Sequence, residues 1–116
     1  MSRLVIAFLL AATVHAAAQS PMTHGPDCSG GWPTNMAQAS LKNAGLLDNS
    51  EIDLAKTRTT RLASESVGKD LWRQVYFVTF FKRSGEKIQA VVVHDASIEE
   101  CSMTGVQVYV VSRLLE

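Results

Sequence analysis

An excess of charge of either sign is missing from this chain: eleven Lys and Arg stand against eleven Asp and Glu in 116 residues. A nucleic-acid binder normally carries a basic excess or stripe, so that class is disfavoured. Electrostatic attachment to an anionic membrane surface is disfavoured for the same reason. Catalytic signatures are missing as well. There is no Gly-rich phosphate loop, no Gly-x-Ser-x-Gly elbow and no helical His-Glu-x-x-His, and no two histidines have metal-ligand spacing. No repeat, heptad or low-complexity tract appears, and beyond residue 18 no stretch is apolar enough to span a bilayer.

The first residues, MSRLVIAFLLAATVHAAAQS, have the layout of a cleavable secretory signal. Arg3 precedes an apolar run from Leu4 to Val14, and the small residues Ala16, Ala17 and Ala18 follow, a run too short for a stable anchor. Removing residues 1–18 from 116 leaves 98, one small domain with little stability to spare. The expectation is an exported protein, periplasmic or secreted, with no membrane insertion after cleavage. In an oxidising compartment the two cysteines, Cys28 and Cys101, are expected to form a disulfide. Closing so long a loop contributes about 4 kcal/mol in the chain-entropy model.

Residues 19–33 are rich in Gly, Pro and Ser and read as an irregular arm, and 34–116 as a single domain. Met36, Ala37, Ser40, Leu41 and Ala44 recur at three- and four-residue steps, which predicts one short helix capped by Thr34 or Asn35 and ended at Gly45. Its small residues Ala37, Ser40 and Ala44 would let it lie close to a sheet. Strand patterns follow at 51–64, 71–82, 87–95 and 105–113, with turns at 65–70 and 83–86. The first strand has a basic middle, Lys56, Arg58 and Arg61, which suits a solvated edge. Short connections dictate hairpins, so the predicted fold is α+β: an N-terminal helix packed on a curled antiparallel sheet of about four strands in meander order.

This order of elements, over roughly 34–113, resembles the cystatin-like domains and the small periplasmic PepSY-type modules. The resemblance is architectural and implies protease inhibition only at the level of class. A cystatin wedge hairpin of Gln-Val-Val-Ala-Gly type finds its nearest counterpart in Gln89-Ala90-Val91-Val92-Val93, which lacks the glycine. The Pro-Trp loop is replaced by Trp32-Pro33, in reversed order and before the helix, so no functional residue is carried over.

Two groups of residues are candidate sites. The segment HDASIEEC places His94, Asp95, Glu99 and Glu100 beside Cys101, and the disulfide would bring His24 and Asp27 near. A metal-dependent or hydrolytic centre is one reading of it; a strand terminator with solvated glutamates is the other. The second group comes from strand alternation. Leu71, Val75, Phe77 and Phe81 alternate with Trp72, Gln74, Tyr76, Val78 and Phe80, and both sets are apolar. A sheet with one helix buries one face that way, so the mixed set Trp72, Gln74 and Tyr76 is assigned to an open binding face. Tyr109 and Arg113, from the row Gln107, Tyr109, Val111 and Arg113, are expected to join it, unless Leu114 and Leu115 cover these aromatics as a second small core. The functional expectation is a non-enzymatic exported module that binds a protein partner through that face, of inhibitor or immunity type, without cofactor or metal. Homodimerisation through the face or an edge strand is a further outcome. Two other classes stay open: a small enzyme centred on His94, Asp95 and Glu99, and a structural envelope protein without a discrete ligand.

Overall fold

A computed structural model of the chain describes residues 24–111, so the expected leader at 1–18 and Arg113, Leu114 and Leu115 lie outside the described residues. Helix α1 (Trp32–Asn43) begins earlier than its apolar period indicates, because Pro33 occupies its first turn. A proline there gives up an N–H that has no helical partner anyway, and its fixed φ suits the helix. Gly31 is the N-cap without a side-chain cap, and Thr34 instead bonds Ser29 O and Thr59 Oγ1, both at 2.7 Å. At the other end Gly45 adopts φ 73°, its N–H reaches Lys42 O, and Leu46 N–H reaches Leu41 O. That pair of bonds is a Schellman ending, which needs a left-handed residue and here uses glycine. The buried stripe is Pro33, Ala37 and Leu41, while Ala44 is exposed.

Two short 3-10 turns (Asn49–Glu51 and Leu54–Lys56) replace the start of the expected first strand. Four strands follow: β1 (Arg58–Gly68), β2 (Leu71–Phe81), β3 (Lys87–Ala96) and β4 (Gln107–Val111). They form one open antiparallel sheet in the order β1-β2-β3-β4, so the meander and the edge position of the basic strand are as expected. The predicted turn at 65–70 is mostly strand. Pairing continues to Gly68 opposite Leu71, leaving a tight loop of Lys69 and Asp70, with Asp70 at φ 48°. Aspartate tolerates that region better than most residues. Two register shifts, between Arg61 and Ala63 and between Ser66 and Gly68, bulge β1.

The core lies between α1 and one face of the sheet. Leu41 and Ala37 pack with Tyr76, Val78, Phe80, Val92 and Ala96, and Leu47 and Ile52 close its edge. Burying each large apolar side chain contributes about 1.5–3 kcal/mol. The Cys28–Cys101 disulfide spans 73 residues with its Cα atoms 5.8 Å apart, pinning the arm to the β3–β4 connection. Among the described residues no helix is long and apolar enough to cross a membrane.

Candidate functional site

The register assigns each residue to a face, and it reverses one expectation. Trp72, Gln74 and Tyr76 share the helix-covered face with Val78 and Phe80, and all five are buried. Two polar members of the set are inside because the arm supplies their partners. Tyr76 Oη accepts from Cys28 N–H at 2.9 Å and donates to Gln74 Oε1 at 2.7 Å. Gln74 Nε2 in turn donates to Pro26 O at 2.7 Å and Ser64 Oγ at 3.1 Å. Every hydrogen-bonding group of the Gln74 amide is thereby occupied, the condition for burying it without penalty. Burial raises the Tyr76 hydroxyl above its ordinary pKa, which keeps it a donor.

Arg61 belongs to the same docking surface and not to a solvated edge. Its guanidinium donates to Pro26 O at 2.9 Å and His24 O at 3.4 Å, and Ser64 Oγ also donates to His24 O. Gly25 lies against the Trp72 ring so closely that a Cβ there would fall 2.6 Å from Trp72 Cγ. Of the three basic residues, Lys56 is paired with Asp53 at 3.8 Å and Arg58 is exposed.

His94 and Asp95 point to opposite faces, as consecutive strand residues must. His94 lies level with Gln74 under the helix side, its Nδ1 2.8 Å from Cys101 O and its ring tilted against Tyr76 at 5.5 Å between centroids. Burial holds its imidazole below the usual range, so it sits neutral. Asp95 is on the other face, bonded to Arg73 through both oxygens at 3.1 and 3.4 Å. Glu99 and Glu100 are exposed. Asp27 caps Ser29 N–H at 3.0 Å, which holds its carboxyl below the usual range. The HDASIEEC segment therefore does not converge, and among the described residues no group of three His, Cys, Asp or Glu is placed to hold a metal.

The open face is the other one. Its rows run across the strands: Thr60, Phe77, Val91 and Tyr109; then Ala63, Val75, Val93 and Gln107; then Glu65, Arg73 and Asp95. Among the described residues no helix packs over it. Of the four expected binding residues that are described, Tyr109 alone is on it, 55% exposed, and Arg113 lies outside the described residues. Phe81 stands at one end with Lys87 Nζ 5.4 Å above its ring, and the Arg73–Asp95 pair stands at the other. Next to that pair lies a shallow depression of about 400 Å³, lined by Arg73, Val93, Asp95, Thr104 and Gln107. Arg73 is the sequence signal for this face. A guanidinium in the Leu71, Val75, Phe77, Phe81 set cannot be buried beneath a small apolar helix without a partner, so its set is the one that meets water.

No protein-family model, curated protein or solved structure matches the chain.

Proposed function

We propose that this protein is a non-enzymatic, exported protein-binding module that works through the open face of its sheet. One observation carries the reading: the core lies on the helix side, yet the opposite face, with no helix over it among the described residues, carries half-buried Val75, Phe77, Val91 and Val93 beside exposed Tyr109, rimmed by charge. A contiguous apolar patch with a polar rim is the surface pattern of protein interaction sites. Partner chemistry of this kind suits an inhibitor or immunity-type factor, which needs a complementary surface and no reactive group.

The test is site-specific photocrosslinking in the native compartment, with a benzophenone side chain at Tyr109 and a control at exposed Asn43 on the far side of α1. The expected outcome is a discrete protein adduct from position 109 and none from 43. No adduct from position 109, or equal adducts from both, overturns the reading.

A further inference from the structure

The open face is self-complementary about the line between β2 and β3. Across that line the register pairs of this face are Phe81 with Lys87, Thr79 with Gln89, Phe77 with Val91, Val75 with Val93 and Arg73 with Asp95, so both ends join unlike partners and the middle is apolar on both strands. A two-fold axis parallel to the strands, placed between two copies laid face to face, sets β2 of one over β3 of the other at the same level. Phenylalanine then meets valine, and the Phe81 ring meets the other copy's Lys87, a cation–π partner. Arg73 meets the other copy's Asp95, closing a ring of four alternating charges. On the flanks β1 lies over β4, so the large exposed Tyr109 covers Thr60 and Ala63. The depression beside Asp95 leaves room for the incoming Arg73.

We infer that the partner of this face is a second copy of the same chain, in a two-fold, face-to-face sheet sandwich; the inference rests on the proposed use of that face for protein binding and puts the chain itself there in place of an inhibitor-type partner. Aligned sandwiches keep strand directions within about 30° of each other, so pairs near the centre overlie closely and only long side chains are needed at the ends. Those ends carry Arg73 and Lys87. With strands about 4.8 Å apart, β2 over β3 along about 33 Å and β1 over the five residues of β4 along about 17 Å give on the order of 500 Å² of facing area per copy. Doubled, that is about 1,000 Å², the size at which a well-matched interface begins and below the roughly 1,200–2,000 Å² of standard ones. The balanced charge of the chain adds no net repulsion between copies.

Sedimentation and native mass measurements on the disulfide-intact protein test this. Wild type is expected to double its mass at micromolar concentrations, and a protein still monomeric at about 100 µM overturns the inference. Arg73→Asp and Asp95→Lys are each expected to weaken self-association on the order of a hundredfold, because each places like charges opposite one another twice. Mixing the two variants restores opposite charges at both positions and is expected to restore the dimer. A mixture that stays monomeric, or single variants that dimerise like wild type, overturns the arrangement. Phe77→Glu provides an arm independent of the folding of Asp95→Lys: a well-folded, still dimeric Phe77→Glu protein also overturns it. A wild-type monomer that crosslinks a different protein at Tyr109 sinks the dimer and leaves the proposed function standing; a monomer with no adduct sinks both.

Discussion

Replacing Tyr76 with phenylalanine removes one oxygen from the molecule and strands two buried groups. The ring stays and its packing against Val92 and His94 is conserved, so the loss is confined to hydrogen bonding. Cys28 N–H and Gln74 Oε1 both depend on that hydroxyl, and both residues are almost fully buried. Leaving a buried donor or acceptor without a partner costs about 1–3 kcal/mol for each group, so the expected loss is about 3 kcal/mol. In a domain of this size each kcal/mol moves Tm by about 4–8 °C, which places the shift at roughly 10–25 °C. Urea and thermal unfolding of the oxidised protein, followed by tryptophan fluorescence, measure it directly. Gln74→Leu provides the companion, and the double variant should lose clearly less than the sum of the two, since both remove the same bond. A Tyr76→Phe protein within about 0.5 kcal/mol of wild type would refute the assignment of this network as what fastens the arm.

Two further outcomes follow from the same region. Gly25→Ala forces a Cβ onto the Trp72 ring from a backbone at φ 72°, where alanine is also strained; a loss of about 2 kcal/mol is expected in the same unfolding assay, and an unchanged midpoint would show that the arm is not seated on Trp72. His94, held low by burial, resists a proton that the unfolded chain accepts near pH 6.5. Its contribution is full above that pH and is lost as pH falls through the folded value, so stability should drop from pH 7 toward 5. His94→Gln should flatten that slope, and an unaltered slope would refute the assignment. Asp27 and Asp48, held low chiefly by the backbone N–H groups of Ser29 and Ser50, act in a separate window below about pH 4.

Periodicity made the helix, the four strands, their meander order and the bridging cysteines legible, since each rests on local spacing or on a count of two. Which face of β2 turns inward was not legible from apolarity alone, because both of its faces are rich in aromatics and aliphatics. Gln74 and Tyr76 look like surface residues in sequence. They are buried because Pro26 and Cys28, nearly fifty positions away, supply a carbonyl and an N–H. Long-range backbone partners leave no periodic trace. Arg61 misled for the same reason: it reads as an edge charge and is occupied by the carbonyls of the arm. The opposite signal was present in Arg73, whose charge marks its set as solvent-facing. The early start of α1 was hidden by Gly30-Gly31 before Trp32-Pro33, a composition shared by turns and by helix entrances.

The two bulges of β1 set the geometry by which copies of this chain can join. A straight, flat edge invites another strand, and a copy added edge to edge always leaves a fresh edge for the next, so growth has no natural end. On β1 the ladder is broken twice and flanked by Arg58 and Lys69. On the far side the described part of β4 is Gln107–Val111, and at its N-terminal end the Asp95 N–H is taken by the Thr104 hydroxyl at 2.9 Å. The β1 margin is thus a poor template, and the broad face is the proposed place of contact. Face-to-face joining about a two-fold axis is complete at two. The two irregularities bend the first strand away from the straight edge that strand addition needs, so the margin they disrupt favours closed over open-ended association.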